Sequence, residues 1–166
     1  MNSTFDISAV VAILATVMTI TRASAVHALL YLTVSLLAVA LVFFVLGAPF
    51  AAALEVIIYA GAIMILFVFV IMMLNVGDVA ADLERAWLTP SIWIGPSFLA
   101  VLLAVELCVV VVAGGYSHRA GSVVDARAVG AALVGPYMLA VELASFLLLA
   151  GLVAAFHLGR SITGTD

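Results

Sequence analysis

Apolar and polar positions along this chain follow neither the period of a strand nor that of a surface helix; they separate into long apolar runs with short polar breaks. A bilayer core of about 30 Å is crossed by roughly 20 apolar residues of helix, and reading on that scale predicts five spans. They cover approximately 5–21, 27–47, 51–75, 91–113 and 134–158. The breaks carry turn-forming residues: Thr21-Arg22-Ala23-Ser24, Gly47-Ala48-Pro49, the charged stretch from Asp78 to Pro90, Gly114-Gly115-Tyr116, and Gly135-Pro136 at the start of the fifth span. Membrane barrels show short alternating segments instead of unbroken runs. The predicted fold is therefore all-α, a polytopic membrane protein with five transmembrane helices, residues 1–166 forming one integral membrane domain.

Composition agrees with that class. Hydrophobic residues make up 68% and charged residues 8%, which leaves too little polar surface for a water-soluble domain. The charge of −4 arises from nine acids against five arginines with no lysine, so no basic patch exists for nucleic acid, and the expected surroundings are the lipid bilayer. A single cysteine, Cys108, can neither close an intrachain disulfide nor hold an iron–sulfur cluster. Walker A, dinucleotide-fingerprint, HExxH and nucleophile-elbow patterns are absent from the sequence, so no site for soluble-enzyme chemistry is visible. The start of the chain lacks a positive n-region, which predicts that the first span is retained.

With five spans, Arg22, Arg85 and Arg160 fall on one side of the membrane and Arg119 and Arg127 on the other. The positive-inside rule then predicts a periplasmic N-terminus and a cytoplasmic C-terminus. Trp87 and Trp93 are the expected interface anchors. A bundle this bare of polar residues has no pore of its own and reads as a subunit of something larger.

The intramembrane acids are the candidate chemistry. Glu55 opens a membrane-length run that continues to Asn75, and Tyr59 follows at i+4, on the same face of a regular helix and about 6 Å along its axis. Carrying a charge toward the bilayer centre costs several kcal/mol, about 2.5–3.5 by insertion scales, so such residues face protein or water. Proton handling is the functional reading; an incidental acid reaching back to the headgroups is the alternative. Glu106 and Glu142 each lie about eight residues from the loop between their spans, which suggests a shared depth and an acidic, hydrated pocket with Glu55. Pairing with polar groups of partner subunits accounts for Glu142 equally well and is the favoured reading of Glu106. Ala60-Gly61-Ala62 forms a notch of small residues among isoleucines, for which close helix packing is the favoured reading and a π-bulge the alternative. His27 and His157, at the ends of their spans, permit a haem-ligand reading, against which stands the simpler one of interfacial histidines beside Arg22 and Arg160. Met64, Met72 and Met73 read as flexible packing.

The stretch from Leu54 through Glu55, Tyr59, Gly61 and Met64 to Asn75 closely resembles the third helix of the chain J family of bacterial complex I, the proton-pumping NADH:quinone oxidoreductase, whose mitochondrial counterpart is chain 6. Val26-His27-Ala28-Leu29-Leu30-Tyr31-Leu32 resembles the family's second helix, Trp93-Ile94-Gly95-Pro96 the entry to its fourth, and Gly135 through Arg160 its last. Glu106 belongs to none of these motifs.

The resemblance implies a five-helix subunit that binds no redox cofactor itself, with FMN, iron–sulfur clusters and quinone carried by partner subunits. It implies placement in the bacterial inner membrane beside chains K, H, A and N. It also implies a π-bulge in the third helix around Tyr59, Ala60, Gly61, Ala62, Ile63 and Met64, whose switching to regular helix controls a water path between the quinone cavity and the pumps. Glu55, Tyr59 and Glu142 would then lie on the proton path. The reading is a subunit of an enzyme, not catalytic alone, that couples quinone reduction to proton translocation. A subunit of a multisubunit cation/proton antiporter is the alternative.

Overall fold

The protein is described by a computed structural model over residues 3–74, 90–112 and 123–161. The expected positions of Asn75, Arg85, Trp87, Arg119 and the loops around them lie outside the described residues. Every regular element among the described residues is helical: α1 (Ser3–Thr21), α2 (Ala25–Val45), α3 with its three windings Pro49–Leu54, Glu55–Ile63 and Met64–Leu74, α4 (Pro90–Val112), α5 (Ala126–Val134) and α6 (Met138–Ser161). Five of these, α1, α2, α3, α4 and α6, are long and apolar enough to cross a membrane, as predicted. The chain divides into two compact units, Met1–Val124 and Asp125–Asp166.

In the first unit α1 and α2 form a hairpin, with the most intimate packing of any helix pair. Small residues make it possible. Ala12, Ala15 and Ala38 bring the backbones close, and Val11, Val34, Leu41 and Leu103 of α4 fill the space around them. Hydroxyls also join the pair: Thr16 Oγ1 and Ser35 Oγ lie 2.7 Å apart, and the Ser35 hydroxyl donates to the Ala12 carbonyl at 3.2 Å. In a bilayer such bonds matter because no water competes for the same groups.

The turn from α2 into α3 follows from its residues. Gly47 takes φ +85°, a left-handed conformation that favours glycine. Its N–H bonds the Phe44 carbonyl and the Ala48 N–H bonds the Phe43 carbonyl, the paired closure of a Schellman cap. Pro49 then opens α3 in the first turn, where its missing N–H costs nothing. The Val124 N–H donates to the Gly47 carbonyl at 2.9 Å, tying the end of this unit to the same turn.

α4 runs parallel to α2. Near its start Gly95 abuts Tyr31, and further along Leu103 shares the core with Leu41. The start of α1, the α2–α3 turn and the end of α4 therefore lie on one side of this unit.

The second unit holds an element the sequence did not predict. Residues 126–134, expected to be loop, form α5, with Asp125 as N-cap accepting a hydrogen bond from the Ala128 N–H at 2.8 Å. A turn at Gly135-Pro136-Tyr137 separates it from α6. The last span thus begins at Met138 instead of 134.

Candidate functional site

The third helix carries the irregularity that the resemblance implied, and carries it further. Residues Glu55–Ile63 are wound as π-helix, beginning four residues ahead of the expected Tyr59. The Met64 N–H closes the segment by reaching back five residues to the Tyr59 carbonyl, and from Met64 the winding is α again. A π winding is costly and rare, and recurs at functional positions.

The winding rearranges the side chains that the sequence grouped together. In a regular helix Glu55 and Tyr59 are neighbours on one face. In the π winding no hydrogen bond joins them. Glu55 is half-buried at the head of the segment, whereas Tyr59 is 49% exposed. Ala60, Gly61 and Ile63 are half-buried, Ala62 is exposed, and Met64 is buried, anchoring the end of the π segment.

Gly61 serves this winding and not a neighbouring helix of the chain. A Cβ built on it would sit 3.2 Å from the Val56 carbonyl oxygen, five residues earlier, and among the described residues no atom of another helix comes within 4 Å. The expected notch is therefore filled from within the turn itself. A side chain at 61 presses on the carbonyl of residue i−5, the position from which a π winding draws its acceptors.

The other acids differ in burial. Glu142 is exposed, four residues into α6, which begins after the turn at Gly135. The serine one turn on, Ser145, donates to the Glu142 backbone carbonyl at 2.7 Å. Glu106, which belongs to none of the family motifs, is buried at 8% exposure and accepts a 2.8 Å hydrogen bond from Ser8 Oγ of α1. Residue spacing gave no warning of this pair. The one available signal was a hydroxyl and a carboxyl each a few residues from a helix end on the same predicted side.

At the far end of the first unit, Arg22 lies over the Tyr31 ring, 5.3 Å from its centroid, and the Tyr31 ring and hydroxyl fill the space where a side chain on Gly95 would be. His27 Nε2 is buried there without a hydrogen bond partner among the described residues. No group of three His, Cys, Asp or Glu suited to a metal ion occurs among the described residues.

Helices of bilayer length that leave whole apolar faces of α3 and α6 uncovered, one of them π-wound at an acid, define a polytopic membrane subunit that depends on lipid and protein neighbours. Comparison with known proteins gives the family. Residues 15–158 match the model for NADH-ubiquinone/plastoquinone oxidoreductase chain 6. The chain is 60% identical over 164 residues to NADH-quinone oxidoreductase subunit J of Pseudomonas aeruginosa, covering 96% of this chain and 97% of that one. It is 55% identical over 160 residues to the Escherichia coli K12 subunit J, covering 96% and 87%. It is 46% identical over 160 residues to that of Buchnera aphidicola subsp. Schizaphis graminum, covering 96% and 98%. The chain belongs to the chain 6 family, and so to the membrane-arm subunits of complex I.

Proposed function

We propose that this subunit couples quinone reduction to proton translocation by changing the winding of α3 between π and α over residues 55–63, which gates water near Glu55. The observation that carries the reading is the π segment itself, with an acid at its head, Gly61 fitted to its i−5 carbonyl, and an exposed tyrosine at its middle. Converting π to α rotates everything on one side of the segment relative to the other, so Tyr59 and its neighbours would swing while buried Met64 stays as pivot. A small hydration change beside an intramembrane acid has a large effect on how readily it exchanges a proton.

The chain is a non-redox subunit in this reading. FMN, iron–sulfur clusters and quinone belong to other subunits, and chains K, H, A and N are the neighbours that cover its exposed faces in the bacterial inner membrane. The N-terminus is periplasmic and the C-terminus cytoplasmic. Glu55, Tyr59 and Glu142 line the proton path. The test is to measure quinone-reductase rate and pH-gradient formation in membranes carrying Gly61 variants, alongside the amount of assembled complex. Coupled activity lost with assembly retained supports the gate; parallel loss of both reduces Gly61 to a packing position.

A further inference from the structure

Ser8, Ser35 and Glu106 are buried polar side chains, and Glu106 is the one of these that carries an ionisable group. Its surroundings form a closed-ended site. Ser8 is fully buried and donates to Oε2 at 2.8 Å. One turn deeper on each helix, Val11 of α1 and Leu103 of α4 meet in the apolar core and seal the floor toward the bundle centre. Toward the other side lie the start of α1 and the last described turns of α4, on the same side as the α2–α3 turn.

A separate apolar cavity of about 430 Å³ lies between α2, α3 and α4, lined by Leu41, Ala52, Val56, Leu103, Ala104 and Leu107 among others. Val56 and Leu107 are the residues directly after Glu55 and Glu106. This open space is lined by apolar side chains, so it offers no polar groups to hold a water wire between the two acids.

We propose that Glu106, held by Ser8, is a proton-binding site distinct from the π segment, which exchanges its proton with the membrane side where α1 begins and α4 ends. In the charged form the carboxylate accepts the Ser8 hydrogen bond. Taking one proton from water on that side gives the neutral acid, which keeps the Ser8 bond through one oxygen and carries the proton on the other. Release returns the proton to water on the same side, since the core beneath is sealed. The titratable groups on the helices around it are Asp6 on α1, His27 and Tyr31 on α2, and Glu55 and Tyr59 on α3; His27 and Tyr31 lie toward the opposite end.

The experiment is infrared spectroscopy of the purified, assembled complex across the pH range in which it stays intact, read as wild type minus variant in the carboxylic acid C=O region. Glu106→Gln is expected to remove one band whose intensity depends on pH. Ser8→Ala is expected to keep that band and shift it to higher frequency, because the hydrogen bond is gone. Gly61→Val leaves it in place. A difference spectrum with no carboxylic acid band at any pH, or with a band that never responds to pH, overturns the proposal. Should Glu106→Gln fail to assemble, Ser8→Ala decides: a spectrum indistinguishable from wild type in this region also overturns it.

Discussion

Tyr31 and Tyr59 are both phenols on apolar helices of the same compact unit, and they are held in opposite ways. Tyr31 is 7% exposed, capped by the Arg22 guanidinium and set into the space Gly95 leaves open. Tyr59 is 49% exposed, on a π winding whose fit is made within its own turn. The region around α1, α2 and α4 is settled by side chains that lock into one another. Among the described residues the π segment has few side chains locking it, so its winding is left to the balance of backbone hydrogen bonding and to whatever neighbour covers it. Rigidity and freedom to switch thus occupy different helices of one small subunit.

Substitution at the two glycines separates these regions most sharply. Gly95→Val should abolish assembly, since any side chain there collides with the Tyr31 hydroxyl and ring. Gly95→Ala should cost about 1–3 kcal/mol, as overpacking of a filled core does. Native gels of membranes score both, and adding Tyr31→Phe should restore part of what Gly95→Ala loses, because it removes the atom struck first. Were Gly95→Val to assemble normally, α2 and α4 would not be locked as described.

Gly61→Val should leave assembly intact and lower quinone-reductase turnover. The added carbon crowds the Val56 carbonyl in the π winding and favours α. A bias of about 2 kcal/mol changes the ratio of two states roughly thirtyfold, enough to stall a cycle that needs both. Glu55→Gln should act more mildly: the isosteric amide keeps the shape but removes the titrating group, so proton transfer per electron in NADH-energised vesicles should fall modestly with normal assembly. Pumping equal to wild type would make Glu55 structural. The smallest effect belongs to Ser35→Ala, which removes the hydroxyl bridge to Thr16 and the Ala12 carbonyl. A loss of about 0.5–1.5 kcal/mol in denaturant stability, with unchanged turnover, is expected for one such bond in a membrane bundle.

The spans were legible because the bilayer imposes one length on every crossing helix, and the Gly47-Ala48-Pro49 turn because each residue there has a backbone reason to stop or start a helix. α5 was not, since Asp125, Ala126 and Arg127 read as a polar break when the scale of the search is a membrane span. The place of Glu142 in its helix likewise depends on where the Gly135 turn lets α6 begin. The Ser8–Glu106 bond joins residues 98 positions apart, and no periodicity within one helix encodes it. The π winding occupies a third case. Ala60, Gly61 and Ala62 permit it, and family resemblance pointed to it, but spacing alone favoured plain packing. The reason lies in a contact between Gly61 and its own helix, which is invisible until the winding is known.

The central claim is that residues 55–63 change winding during the cycle. Structures of the complete complex trapped with quinone oxidised and with quinone reduced test it directly, through the acceptor of the Met64 N–H. The account predicts that this N–H bonds the Tyr59 carbonyl, five residues back, in one state and the Ala60 carbonyl, four back, in the other, with Tyr31 and Gly95 unmoved. The same Tyr59 bond in both states of a complex shown to turn over would contradict it.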